Sequence, residues 1–225
     1  MKLTLTLCLL LAGLTAAFSQ DEPAPIVEKD IVYKDWTLKS IRDLKDIDLR
    51  DLIKDKKLVA VVYFAPWCHD WGHDAPVLQK LYDKYKGYSF EIVAVGEYGP
   101  VDDMAINLDT LKITFPAVYE SQMRSAVDST LHNTYRRMTG DTRDWGSPYY
   151  VFIDPSAVSK KGDILLKRTN VINGQMVESE GEKFIRQKLG LLPDEPKLTS
   201  QKKEALETCD PAKPTSLKKP EGKPQ

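Results

Sequence analysis

The sequence predicts an α/β fold, a central mixed β-sheet flanked by helices, and three stretches predict it. The first runs from Leu58 to Val95: a near-continuous apolar run, Leu58 to Phe64, then a segment of helical period, then a second apolar run, Phe90 to Val95. Together these read as a β-α-β unit whose strands are buried on both faces. The second is Tyr149 to Ile153 followed by Asp163 to Val171, two strand-like runs separated by Asp154-Pro155 and a Lys160-Lys161-Gly162 turn, which read as a hairpin. The third is Trp67-Cys68-His69-Asp70-Trp71, which places a lone thiol where the first strand turns into the helix.

The other elements follow in order. Trp36 to Ile53 alternates charged and apolar residues and reads as a strand pair leading to a helical turn near Asp48 to Lys54. From Asp74 to Tyr85, the spacing of Val77, Leu78, Leu81, Tyr82 and Tyr85 gives one apolar helical face, ended by Gly87. Met104 to Lys112 reads as a short helix, Thr114 to Tyr119 as a compact apolar segment, and Ser125 to Met138 as a helix ended by Gly140. Glu180 to Leu189 closes the domain as an amphipathic helix through Phe184, Ile185 and Leu189.

The two ends read differently from the body. Met1 to Ser19 has the pattern of a secretory signal, with Lys2, an apolar run from Leu3 to Leu14, and small residues Ala17 and Ser19 before a cut ahead of Gln20. That run is short of the roughly 20 apolar residues a membrane span needs, so stable insertion is not expected. Leu5-Thr6-Leu7 lacks the small residue that lipid attachment at Cys8 would want. Residues 20–35 read as an N-terminal linker and 36–192 as the folded domain. Residues 193–225 read as a Pro- and Lys-rich tail expected to be disordered, because it holds too little apolar side chain to offset the cost of ordering. A secreted or periplasmic location is expected, where a disulfide persists. The formal net charge of -1 provides no basic field for nucleic acid.

The chemistry centres on Cys68. A sulfur at the start of a helix faces unpaired N–H groups and the positive end of the dipole, which favours the thiolate, the reactive form. His69 is placed to hold a proton near it, or else is an exposed polar residue of the helix start. Asp70 and Asp74 suit the first turn of a helix by complementing its dipole. Cys68, His69 and His73 also invite copper or zinc, since His69 and His73 are four apart. Pro76 and the lack of a fourth ligand weigh against that, and neither a metal nor another cofactor is expected. Cys209 is either a remote resolving thiol on the tail or an incidental one.

From about Trp36 to Leu192 the chain resembles the extracytoplasmic thioredoxin-like thiol-disulfide oxidoreductases, within the redoxin group that includes peroxiredoxins. Two patches carry the resemblance: Val61 to Cys68 with Pro76 beyond it, and Gly146-Ser147-Pro148 running into Tyr149 to Asp154. It implies a thioredoxin-like fold, Cys68 as the attacking cysteine, and Ser147-Pro148 as a cis-proline pair whose backbone meets an extended substrate. It also implies Trp67 as the flanking aromatic and Asp74 as an acid assisting proton transfer. Trp71 stands where a dithiol enzyme has its resolving cysteine and is expected either to pack inward or to line the substrate groove. Val62 replaces the buried acid of cytoplasmic thioredoxins, and Ala65 the threonine of the peroxiredoxin loop.

The expected function is therefore thiol-disulfide exchange, or thiol-based reduction through a sulfenate, by Cys68 with an external thiol completing the cycle. Its partners would be protein or small-molecule thiols and disulfides. The alternatives are a non-catalytic binding module that keeps the groove of Trp67, Trp71 and Pro148, and a copper or zinc carrier.

Overall fold

The computed structural model describes residues 23–165 and 168–192. The signal-like segment with Cys8 and the tail with Cys209 lie outside the described residues. Eight strands form one sheet: β1 (Val27–Asp30), β2 (Thr37–Ser40), β3 (Asp46–Asp48), β4 (Leu58–Phe64), β5 (Phe90–Gly96), β6 (Ala117–Tyr119), β7 (Tyr149–Ile153) and β8 (Arg168–Ile172). Their spatial order is β1-β8-β7-β4-β5-β6-β2-β3. β4, β5 and β6 run parallel, and the remaining neighbours are antiparallel. The mixed sheet expected from the sequence is therefore present.

Strand β4 occupies the middle because it is apolar at every position. All seven of its residues are buried, with Ala60, Val62 and Phe64 entering one core and Val59, Val61 and Tyr63 the other. Helices α2 (His69–Tyr85), α3 (Val101–Thr110) and α5 (Glu178–Lys188) cover the first face through Leu78, Leu81, Met104, Leu108 and Ile185. The short α1 (Leu49–Ile53), α4 (Leu131–Thr139) and the chain around Tyr33 and Trp36 cover the second. No helix among the described residues is long and apolar enough to cross a membrane.

Several boundaries differ from the sequence expectation, each for a local reason. Helix α2 begins five residues before Asp74, with Cys68 as its N-cap, and continues through Pro76. Proline removes the bond to the carbonyl of residue 72 and crowds it. That position is Gly72, which brings no side chain of its own to the crowding, and the packing of Trp71, Ala75, Leu78 and Leu81 holds the helix on both sides. The single helix expected from Ser125 to Met138 is broken into a 3₁₀ turn, Arg124–Ser129, and α4. Thr130 makes the break: its Oγ1 accepts from the Asn133 N–H at 3.1 Å, capping a new helix. Gly140 ends α4 at φ +87, as expected of a glycine there.

The largest correction concerns the linker. Within residues 20–35, Val27 to Asp30 form β1, paired with β8 from Val27 opposite Val171 to Asp30 opposite Arg168. Ile31 and Tyr33 are buried. Tyr33 makes a 2.7 Å hydroxyl contact with Tyr63 of β4, its hydroxyl accepts from the Trp36 indole at 3.3 Å, and its ring lies 4.5 Å from that of Tyr135. The polar run Val27-Glu28-Lys29-Asp30 belongs to a strand at the sheet's edge, which has a neighbour on one side only. Tyr33→Phe leaves the Tyr63 hydroxyl and the Trp36 N–H without this buried partner, and we expect a loss of roughly 1–3 kcal/mol in urea-induced unfolding. An unchanged midpoint would mean that this segment is not part of the core.

Candidate active site

The end of β4 delivers Ala65-Pro66-Trp67-Cys68 to the edge of the sheet. The Cys68 N–H donates to the Ala65 carbonyl at 3.0 Å, closing a turn, and the Gly72 N–H donates to the Cys68 carbonyl at 3.2 Å as α2 begins. Cys68 is half-buried, and no side chain caps the helix at this point. Its thiol donates to the Ser147 carbonyl at 3.2 Å. The Ser147–Pro148 bond is cis, as the resemblance implied. A second tie joins the two loops: the Ala65 N–H donates to Ser147 Oγ at 3.0 Å. Ser147 and Pro148 are both buried, so what faces a substrate here is the margin of the loop and its backbone.

The loop before the cis bond is held from beneath. Gly146 has φ +54, and a Cβ placed there would collide with the Arg136 guanidinium, so the backbone rests directly on that buried group. Arg136 and Arg143 both pair with Asp141, at 3.1 and 2.7 Å, and Arg143 Nη2 donates to the Pro148 carbonyl at 3.3 Å. Burial pushes the Asp141 carboxyl up, but the hydrogen bonds and charges of Arg143 and Arg136 outweigh it and hold the group at about 2.

Trp67 is exposed beside the sulfur. Its indole N–H donates to the Tyr98 carbonyl at 3.0 Å, its ring meets Trp145 edge-on at 5.4 Å, and the Arg124 guanidinium lies 4.2 Å above it. A shallow groove runs from Trp67 along α3, lined by Pro66, Asp103, Ile106, Asn107 and Thr110.

Two expected site residues are placed elsewhere. Trp71 does not line a groove: it is completely buried, stacked on Phe64 at 4.5 Å, with its indole N–H donating to Asn107 Oδ1 at 2.8 Å. Asn107 in turn donates to the Pro66 carbonyl at 3.1 Å, so Trp71 steadies the cysteine loop from inside the core. A bulky ring at the start of α2 on the sheet side has apolar area to bury, which is why it turns inward. His69 is exposed, and its contacts go to His73 and Asp70 rather than to the sulfur.

Asp74 is nearly inaccessible, at 2 % exposure. One carboxylate oxygen accepts from both the Tyr150 hydroxyl and, at 2.9 Å, the Met176 N–H. Burial raises the carboxyl to about 7, against those two hydrogen bonds and with a smaller contribution from Asp70. Tyr150, also fully buried, is pushed well above the usual phenol range by burial, by Asp74 and by the nearby Cys68. Tyr150, Trp145, Arg124 and Tyr98 were not singled out from the sequence. For Tyr150 a signal existed: it sits two residues beyond Pro148 on β7, on the same face of the strand.

Asp74 gives the protein a pH-dependent stability. Its folded carboxyl titrates near 7 and its unfolded one near 3.9, so between those values the native state keeps a proton that the unfolded chain has released. Stability from this group is greatest below that window and falls as pH rises through it, by on the order of 4 kcal/mol. In Asp74→Asn the hydrogen-bond acceptor remains and this slope disappears; urea midpoints at pH 5 and pH 8 measure it. Equal slopes in the two proteins would refute the assignment.

No family model matches the chain. Over 105 residues it is 28% identical to protein disulfide-isomerase of Drosophila melanogaster, a match covering 45% of this chain and 20% of that one, so the chain spans about a fifth of that relative's length. Among solved structures, a thiol:disulfide interchange protein of Chlorobium tepidum superposes with a TM-score of 0.51 at 18% identity, covering 76% of this chain and 100% of that one. A thiol:disulfide interchange protein from Bacteroides sp. also gives 0.51, at 17% identity over 72% of this chain and 90% of that one. At such identities these likenesses show the fold. With Cys68 capping α2 opposite the cis Ser147–Pro148 bond of a mixed sheet, they establish that the chain is a thioredoxin-fold protein.

Proposed function

We propose that the chain is a thiol-disulfide oxidoreductase acting through Cys68 alone. The observation that carries this reading is the placement of the Cys68 sulfur: half-buried at the N-cap of α2, 3.2 Å from the carbonyl that precedes the cis-proline, beside the exposed ring of Trp67. A disulfide that approaches past the exposed Trp67 ring meets the sulfur there. The Cys68 thiolate attacks one sulfur of R–S–S–R′, the S–S bond breaks, and R′S⁻ leaves and takes a proton from solvent. The resulting Cys68–S–S–R bond has no thiol at position 71 to attack it, because Trp71 is core. An external thiolate R″S⁻ then attacks the R sulfur, releasing R–S–S–R″ and restoring Cys68. The substrates are protein or small-molecule thiols and disulfides, and the signal-like Met1 to Ser19 supports an extracytoplasmic place of action.

The test uses protein carrying Cys8→Ser and Cys209→Ser, so that Cys68 is its one thiol, and an aromatic disulfide that releases a coloured thiol. The Cys68 reading expects one equivalent of coloured thiol, a stable mixed disulfide on Cys68, and release of the second equivalent only after external thiol is added. A thiol that reacts no faster than an unfolded control would leave the fold as a binding module around Trp67, Trp145 and Pro148. Trp71→Cys provides the complementary result. It restores a thiol at the resolving position, so a second equivalent leaves without external thiol. Emptying the indole's volume from the core lowers stability by roughly 3–5 kcal/mol in chemical denaturation.

A further inference from the structure

We propose that His69 and His73 form a two-imidazole site for a first-row divalent transition-metal ion, copper(II) above all. Their Nε2 atoms lie 3.3 Å apart, with ring centroids 4.5 Å apart and planes at 73°. Two imidazole nitrogens bound to one ion at about 2.0–2.1 Å are separated by roughly 3.3–3.4 Å at a tetrahedral angle and roughly 2.9 Å at the right angle that copper(II) prefers, so the two exposed rings come within a few tenths of an ångström of a chelating pair. The pairing arises from the helix. Residues four apart share a face, and α2 runs unbroken from His69 through Pro76, which removes the distortion that the sequence seemed to impose. Both rings are exposed, so water competes with any hydrogen bond between them, and such a bond contributes little to holding them together.

The surroundings favour a cation. Asp70 Oδ1 lies 3.9 Å from His69 Nδ1, the ring nitrogen not turned to His73, the side on which metal-bound histidines commonly have a carboxylate partner. Among the described residues no three or more His, Cys, Asp or Glu side chains surround one point, so the two imidazoles are the ligands this site offers. A site of two imidazoles and open positions is labile and suits a metal high in the divalent affinity series, which places copper(II) ahead of zinc and nickel. The third histidine of the chain, His132, is fully buried and does not compete.

Copper(II) oxidises thiolates, so the test is made on the untagged full chain carrying Cys8→Ser, Cys68→Ser and Cys209→Ser, titrated with copper(II) alone and followed by calorimetry and electron paramagnetic resonance. The expected result is one saturable equivalent with two nitrogens in the copper spectrum. Adding His69→Ala or His73→Ala abolishes it. Because both side chains are exposed, thermal unfolding of the metal-free variants stays unchanged and excludes misfolding as the cause. Zinc(II), titrated into the chain with Cys68 present, binds more weakly and with the same dependence on both histidines. Saturable binding that survives either histidine substitution would overturn the proposal, as would zinc binding that requires Cys68 while the serine variant binds no copper.

Discussion

The structure depends on the burial of β4 from both sides. A strand whose every residue is covered needs a neighbour on each edge and a layer of helices or chain on each face, and Leu58 to Phe64 obtains all four: β5 and β7 at its edges, two cores above and below. Only the end of such a strand reaches solvent. The end of β4 is where the chain turns through Ala65, Pro66 and Trp67 to Cys68, so the position of the sulfur follows from the position of a strand buried at every residue. In open sheets with parallel strands, the crevice beyond the carboxyl ends is the usual place for a site, and here it is also where β7 begins from its cis-proline.

Around that point the molecule assigns rigidity and exposure to different residues. The rigid parts are interior: Trp71 bonded through Asn107 to the Pro66 carbonyl, Ser147 Oγ receiving the Ala65 N–H, and the Arg136–Asp141–Arg143 group beneath the Gly146 backbone. The exposed parts are Trp67, Arg124 and the two histidines at the start of α2. A buried acid and a buried phenol, Asp74 and Tyr150, lie on the core side of the sulfur, in surroundings where desolvation governs protonation. A thiol is thus held between a dry interior and an aromatic surface.

Much of this was legible in the sequence. Continuous apolar runs identified β4, β5 and β7, and the Trp-Cys junction and the Ser147-Pro148 pair located the two loops that meet at the site. What escaped depends on contacts between distant segments. Trp71 gave no sign of whether it would face in or out until Phe64 and Asn107 were placed on either side of it. Asp74 has the same sequence appearance as Asp70, a first-turn acid, yet α2 turns it under Tyr150 and Met176, more than seventy residues away in the chain. Thr130 broke a helix that periodicity alone would continue, because a side-chain cap competes locally with helix propagation. The β1 segment was missed because only Val27 of Val27 to Asp30 is apolar, leaving no alternation to read, and because Pro23 and Pro25 precede it.

That strand has a consequence for the order in which the protein is made. β1 is the first element of the sheet to leave the ribosome, but its partner β8 is the last strand, and Val27 faces Val171 across more than 140 residues. The sheet's first edge therefore stays unpaired throughout synthesis of the domain. Tyr33 likewise waits for β4, Tyr135 and Leu165 before its surroundings exist. Long-range pairing of this kind is slow to form and leaves strand edges open meanwhile. A chain with this topology completes its fold only after nearly the whole domain is available.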